Sequence, residues 1–260
     1  MAVPGSETRF MNSLTYAQHL PTPFITTFML IHLTAPAVAS IGGVSAASQL
    51  LGREYYHGVP QEALLVYAPI TLHVCASLAK RLVKIGRLVQ KAGTSDVAQL
   101  PPKQNRSVIS SNALQLTGYP LVFLLSPHIA THRLLPSTPS PPISSISPSE
   151  LDFSFVNFGL KNWPARSWIM YSVLVGAGIM HVTYGAPIVW RTILRLLKKA
   201  GLVNSESKKS LSWRMFPKAS LLGIGVVLLG MLRIAREDVF LTRLATTRMV
   251  ASYRLSPFYR

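Results

Sequence analysis

Long stretches without a charged residue dominate the hydrophobic pattern of this chain. Asp, Glu, Lys and Arg are all missing from residues 10–52, 63–79, 107–132, 167–190 and 219–232. A helix that spans a membrane needs roughly 20 apolar residues, and Lys or Arg side chains at its ends can extend to the headgroups. On this basis the first four stretches predict spanning helices near residues 24–50, 64–83, 112–134 and 167–190.

The fifth stretch is the shortest, with 14 residues between Lys218 and Arg233. Its centre reads LLGIGVVLLGML, and the cations at both ends can reach the headgroups, so it predicts a fifth span over residues 218–235. A re-entrant or interfacial helix is the alternative for this stretch. The predicted fold class is therefore an all-α integral membrane protein, a five-helix transmembrane bundle.

The second and fourth predicted helices share a sequence pattern. ITLHVCASLAKRLVKI and GIMHVTYGAPIVWRTILRLL both place His-Val near the middle and a basic run at the same exit. We interpret the pattern as a tandem repeat of a two-helix unit in parallel orientation, followed by the fifth helix. A chance match between apolar segments is the alternative.

The predicted helices divide the chain into consecutive segments. They are a short N-terminal segment (1–23), a first two-helix unit (24–83), a basic loop (84–111), a second two-helix unit (112–190), a second basic loop (191–217), a fifth helix (218–235) and a basic C-terminal tail (236–260). Inside the second unit, residues 135–164 form a loop whose first part is rich in Pro and Ser and is expected to be extended, without a packed core. Its second part, LDFSFVNFGL, is expected to lie along the membrane surface.

Composition agrees with a membrane protein. Hydrophobic residues make up 49% of the chain and charged residues 13%, against about 25% charged in soluble domains. The single cysteine, Cys75, excludes a disulfide scaffold. The formal charge of +17 resides in clusters between the apolar stretches, and this placement argues against a nucleic-acid binder.

The charges also predict an orientation. Five spans put the two termini on opposite sides. When cations at helix ends are counted with the adjoining loop, the side of the N-terminus has 16 Lys and Arg against three acids, and the other side has ten against six. By the positive-inside rule the N-terminus is expected to be cytosolic. The sequence MAVPGSETRF resembles neither a secretory signal nor an Arg-rich presequence, so the first helix itself is expected to direct targeting.

Each of the first four predicted helices carries one histidine, namely His32, His73, His128 and His181. An ionisable side chain at membrane depth is costly and usually faces the bundle interior. Pro36 also deprives the carbonyl of His32 of its usual donor, so the first helix is expected to kink there.

Three interpretations of these histidines stay open. They can form hydrogen bonds between helices that fix the packing. They can ligate haem b through two imidazoles, with His73 and His181 as the first candidate pair and His32 with His128 as the second. They can also line a proton or substrate pathway.

Chemistry typical of soluble enzymes has little support in the sequence. No Cys-x-x-Cys, phosphate loop, nucleophile elbow or His-Glu-x-x-His motif occurs, so we expect a non-enzymatic protein. The other histidines, His19, His57 and His132, lie near predicted helix ends or in loops and are expected to be solvated or interfacial.

Three segments carry a resemblance to a known family. LDFSFVNFGLKNWPARSWIMYSVLVGAGIMHVTYGAPIVW, LTGYPLVFLLSPHIATHR and AQHLPTPFITTFMLIHLTAP resemble the transmembrane domain (MCP-type) of a fungal contact-site adaptor family of the mitochondrial outer membrane. The resemblance runs from about Gln18 to Arg191. A weaker similarity is to the membrane-anchor cytochrome b of succinate dehydrogenase and fumarate reductase, in which helix histidines hold haem.

The resemblance implies a protein that acts in lipid homeostasis and recruits a bridge-like lipid-transfer protein to organelle contact sites. Recruitment in that family uses a Pro-x-Pro motif in the cytosolic N-terminal segment. The corresponding residues here are Pro21 and Pro23, at the start of the first predicted helix. A second such motif, Pro139-Ser140-Pro141, lies on the side predicted to face away from the cytosol. Membrane lipids are the other expected partners.

Overall fold

The structure is a computed structural model that describes residues 4–49, 58, 60–93, 105–203 and 216–260. These residues form helices and no strand, which confirms the all-α prediction. The helices are α1 (Pro4–His19), α2 (Thr22–Gln49), α3 (Ala68–Gly93), α4 (Asn105–Ile129), α5 (Phe153–Asn162), α6 (Pro164–Lys199), α7 (Phe216–Arg236) and α8 (Arg243–Leu255). A π-helical stretch, Ala63–Tyr67, precedes α3, and another, Ala130–Leu134, follows α4.

Four helical segments of the described chain are long and apolar enough to cross a membrane. They are Arg9–Gln49, Ala63–Gln90, Pro164–Lys199 and Lys218–Arg236. The third predicted span corresponds to α4, which is not among them because polar residues such as Gln115, Thr117 and His128 lower its mean hydropathy. The protein is therefore an integral membrane protein, while the count of five spans and the two-helix repeat stay predictions.

The helices extend beyond the predicted spans wherever the flanking sequence is basic. α3 and α6 continue to Gly93 and Lys199, past the predicted ends at residues 83 and 190. The basic runs that follow these spans alternate cations with Leu, Ile and Val at helical spacing, so they favour an amphipathic continuation. α1 lies in the segment that was predicted only as a short N-terminal region.

The chain forms two compact units. The first takes the described residues of Met1–Met29, Arg53–Ala113 and Tyr184–Ser212. The second takes those of Leu30–Gly52, Leu114–Thr183 and Trp213–Arg260. In the first unit α1 packs along α3.

The core of the second unit is built around Tyr253 of α8, which is fully buried. Its ring stacks on Phe155 with centroids 4.6 Å apart and on Trp163 at 5.1 Å, and its hydroxyl donates a hydrogen bond of 2.9 Å to the Phe155 carbonyl. Because the phenol is enclosed in apolar surroundings, burial raises the pKa of Tyr253 well above its usual range. The basic C-terminal tail thus contains a helix that completes this core.

The Pro/Ser-rich segment contributes to the same core, so the expectation that it lacks one was wrong. Ile143 and Ile146 are only 2% and 4% exposed. Arg248 of α8 holds the segment in place, since its Nε donates to the Ile143 carbonyl at 2.8 Å and its guanidinium pairs with Glu150. A hydrogen bond from the Ser147 N–H and the pairing with Arg248 lower the pKa of Glu150.

The segment LDFSFVNFGL supplies most of α5, and Phe155 and Phe158 are buried in this core while Phe153 is partly buried. Its expected position along the membrane surface stays a prediction. Asp152 caps the helix by accepting a 2.8 Å hydrogen bond from the Ser154 N–H. Asn157 is 2% exposed, and its amide donates to the carbonyls of Ile234 and Glu237. α5 is therefore fixed to the C-terminal end of α7.

Two contacts join α2 and α7 within the second unit. At one, a Cβ on Gly230 would overlap the Pro36 carbonyl oxygen, so the two backbones touch. At the other, α2 leaves helical dihedrals at Gly43 (φ 66°, ψ −154°), and the Glu237 carboxylate accepts a 2.8 Å hydrogen bond from the Val44 N–H. The non-helical dihedrals lie at Gly43, where the carboxylate of Glu237, directly after α7, gives the Val44 N–H an acceptor outside its own helix. The kink at Pro36 stays a prediction.

Replacing Gly43 with Ala is expected to lower the unfolding midpoint of the purified protein. The positive φ strains any residue with a side chain, and the added Cβ would overlap the Glu237 carboxylate, so we expect a cost of about 1–3 kcal/mol. Gly176→Ala in α6 is the control, since a Cβ there meets nothing within 4 Å. Equal midpoints for the two variants in thermal denaturation would contradict the assigned break.

Candidate functional site

The four predicted histidines belong to two different units. His73 lies in the first unit, whereas His32, His128 and His181 lie in the second. The structure brings His32 and His128 together, with ring centroids 6.1 Å apart in an edge-to-face arrangement. The pairing of His73 with His181 stays a prediction.

His73 is oriented by a backbone group of α1. Its Nδ1 lies 2.7 Å from the carbonyl oxygen of Gln18. A carbonyl only accepts, so Nδ1 carries the proton and the lone pair of the neutral ring is on Nε2. Lys80 donates a 2.8 Å hydrogen bond to the side-chain oxygen of the same glutamine. Gln18 thus connects α1 to two positions of α3, a role that nothing in its local sequence indicates.

His181 has a similar arrangement with α4. Its Nδ1 lies 3.1 Å from the hydroxyl of Thr117, which is 5% exposed. That hydroxyl donates weakly to the Leu114 carbonyl at 3.4 Å, so it accepts from the imidazole and Nδ1 again carries the proton. Gly118 allows this approach, since a Cβ there would lie 3.3 Å from the ring.

His132 joins the cluster of His32 and His128 and is not a solvated side chain, while the interfacial alternative stays a prediction. Its ring lies 4.8 Å from that of His128, and its Nε2 is 2.9 Å from the hydroxyl of Tyr171. Phe155 packs against the same ring at 5.6 Å. The core of the second unit therefore encloses His132 on several sides.

The cluster of His32, His128 and His132 leaves one polar atom without a partner. Nδ1 of His128 is buried, and no hydrogen bond reaches it from the described residues. A buried polar atom of this kind usually costs about 1–3 kcal/mol. No group of three or more His, Cys, Asp or Glu within the described part of the chain could hold a metal ion. Hydrogen bonding and ring packing are thus the observed roles of these histidines.

His19 is buried, at 8% exposure, so it is not solvated, and the interfacial alternative stays a prediction here too. Its Nδ1 lies 2.8 Å from the hydroxyl of Thr192 in the first unit. A partner 173 residues away in sequence cannot be inferred from the local pattern. His57 lies outside the described residues.

The Pro-x-Pro motif forms the junction between α1 and α2. Pro21 is buried and Pro23 is exposed. Between them, the hydroxyl of Thr22 donates to the His19 carbonyl at 2.6 Å. Only Pro23 therefore presents its ring to the surroundings.

Residues 120–238 match the family model described as MDM10-complementing protein 1, transmembrane domain. The matched region begins within α4 and includes α5, α6 and α7. No curated protein and no solved structure matches the chain. The similarity to the membrane-anchor cytochromes b stays a prediction.

Proposed function

We propose that the protein is a non-enzymatic adaptor of the mitochondrial outer membrane, since residues 120–238 match the family model described as MDM10-complementing protein 1, transmembrane domain. It acts in lipid homeostasis at organelle contact sites and recruits a bridge-like lipid-transfer protein there. The family match is the observation that carries this proposal. By itself the match indicates a mitochondrial membrane protein; the membrane, the process and the partner are the proposed part.

The adaptor has five spans in this proposal, and the relative direction of α2 and α7 supports that number. Pro36 contacts Gly230 and Val44 contacts Glu237, so residue numbers rise together along both helices and the helices are parallel. Two parallel spans are separated by an odd number of crossings. α3 and α6 supply two, and α4 is the helix available for the third.

Contacts between α4 and α6 support the same conclusion. Thr117 contacts His181, and the π-helical stretch after α4 places His132 against Tyr171, so α4 and α6 run antiparallel. Residues 117 to 132 cover roughly 22 Å at the helical rise per residue, most of the thickness of a bilayer core. Because α4 lies against the spanning helix α6 over this length, α4 also crosses the membrane in this proposal.

Protease protection of terminal tags on isolated mitochondria tests the topology. With five spans and a cytosolic N-terminus, an N-terminal tag should be digested in intact organelles. A C-terminal tag should be digested only after the outer membrane is opened. An outer-membrane protein with a known cytosolic domain serves as the digestion control. Digestion of both tags in intact organelles would contradict the odd number of spans.

Recruitment is proposed to involve Pro21 and Pro23, the motif nearest to the N-terminal side. Pro21→Ala with Pro23→Ala should reduce the mitochondrial fraction of a fluorescent bridge-like lipid-transfer protein by several-fold. Pro139→Ala with Pro141→Ala is the matched control, because it removes a motif of the same form that lies on the opposite side in this topology. An equal effect of the two pairs, or no effect of the first pair, would show that this motif does not recruit the partner.

Haem b binding is the second candidate function, and the hydrogen bond that each of His73 and His181 makes through Nδ1 inside its own unit supports it. In both rings Nδ1 carries the proton and is held by an oxygen, so the lone pair for a metal lies on Nε2. Histidine ligands of metals characteristically have such a partner on the other nitrogen. When bound, haem would supply electron transfer or haem delivery.

Haemin titration of the purified protein tests this second candidate. Ligation by two imidazoles should give a Soret band that His73→Ala and His181→Ala each abolish, while His19→Ala retains it. His19 is the control because its Nδ1 also faces an oxygen, the hydroxyl of Thr192 in the first unit. It is not one of the proposed haem ligands. A protein that stays colourless with added haemin is not a haem protein.

A further inference from the structure

A cavity of about 370 Å³ opens between α2 and α7 in the second unit. It is lined by Ser40, Leu229, Leu232, Arg233, Arg236 and Glu237. Leu229 directly precedes Gly230, and the other lining residues lie between the Pro36–Gly230 contact and the Val44–Glu237 hydrogen bond, in which Glu237 itself takes part. Two contacts between the same two helices therefore lie near the two ends of the cavity.

The charges in the cavity do not cancel. Arg233 and Arg236 are three residues apart and so share one face of α7. Neither guanidinium has a hydrogen bond or an ion pair with another described residue. The Glu237 carboxylate instead accepts from the Val44 N–H at 2.8 Å. Two cations and one carboxylate leave one positive charge uncompensated, which suits a ligand with a single negative charge.

Neighbouring acids do not supply that charge. Asp238 follows the cavity directly, but its carboxylate pairs with Lys161 at 2.8 Å. Glu150 pairs with Arg248, and Asp152 accepts a hydrogen bond from the Ser154 N–H. These carboxylates are therefore already paired, and the negative charge that balances the two arginines has to come from a bound ligand.

The position of the cavity indicates where such an anion comes from. The apolar stretch of α7 ends at Arg236, so we expect both guanidinium groups to lie near headgroup level. Leu229 and Leu232 line the part of the cavity toward the middle of the span, and Leu229 is 56% exposed. A ligand with a phosphate at one end and hydrocarbon at the other meets both kinds of wall.

We propose that this cavity binds the phosphodiester headgroup of a phospholipid. Arg233 and Arg236 donate to the phosphate oxygens, since a guanidinium offers two parallel N–H groups that match them. Leu229 and Leu232 contact the glycerol and the first acyl carbons, and the small Ser40 forms the wall from α2. This site goes beyond the adaptor role and requires only that α2 and α7 lie in a membrane.

Native mass spectrometry of the full chain, released from nanodiscs of phosphatidylcholine with one fifth phosphatidylglycerol, tests the site. Arg233→Gln with Arg236→Gln should lower the affinity for the retained phospholipid by about tenfold or more, as expected when hydrogen bonds to a charged group are lost. Arg243→Gln with Arg254→Gln is the matched control. It removes the same charge from two exposed arginines of α8 and should retain the lipid. Equal loss in the two pairs would overturn the proposal.

A second variant separates a cavity from arginines that simply extend to free headgroups. Ser40→Phe fills the cavity from α2 and keeps both guanidinium groups, so lipid retention should fall as it does without the arginines. Retention at the wild-type level in Ser40→Phe would overturn the cavity. If either variant has a lowered unfolding midpoint, Arg233→Lys with Arg236→Lys replaces it. That pair keeps the charge and loses the planar fork, and full retention in it would equally overturn the assigned donors.

Inorganic phosphate distinguishes a lipid from a soluble source of the same anion. For a headgroup site, millimolar phosphate should leave the retained phospholipid in place, because phosphate has no hydrocarbon for Leu229 and Leu232. Displacement by phosphate that depends on Arg233 and Arg236 would keep the anion site and overturn its assignment to a lipid. The lipid test uses neither the terminal tags nor the recruitment assay. Its result can therefore be interpreted even if the adaptor proposal fails.

Discussion

A backbone that leaves helical geometry inside a packed helix must find new hydrogen-bond partners, because an unpaired buried N–H or C=O group costs free energy. In α2 this happens at Gly43, and Glu237, which directly follows α7, accepts the N–H of Val44. The same end of α7 presents two carbonyls to Asn157 of α5. One carboxylate and one amide thus connect a broken helix, an apolar span and a buried short helix, and α8 closes over the result through Tyr253.

The sequence predicts most of the helices because missing charges are a strong signal. Each predicted span corresponds to a helix, since a stretch of about 20 residues without charge has few other uses. The predicted ends of α3 and α6 fall short of the observed ends, because basic amphipathic runs continue both helices. The hydrophobic pattern does not predict α8, because its composition is mostly polar. Met249 and Tyr253, one turn apart, are both buried. Their spacing is the signal that could have identified the helix.

The histidines show where local sequence stops being informative. One histidine per predicted helix indicates a polar interior, and two of the four, His181 with Thr117 and His73 with Gln18, make hydrogen bonds between helices. The partners themselves depend on long-range packing. The burial of His19 and the contact of His132 with Tyr171 follow from helices that meet only in the folded chain. Residue type and spacing can predict a polar interior but not which pairs will form in it.

The length of α6 has a mechanical consequence. Its 36 residues extend about 54 Å, whereas the hydrocarbon core of a bilayer is about 30 Å thick. The excess at its C-terminal end alternates cations with Leu and Ile and finishes at Lys198 and Lys199. A helix end of this composition suits the bilayer surface beyond the crossing, because its cations attract anionic lipids while its apolar side contacts acyl chains.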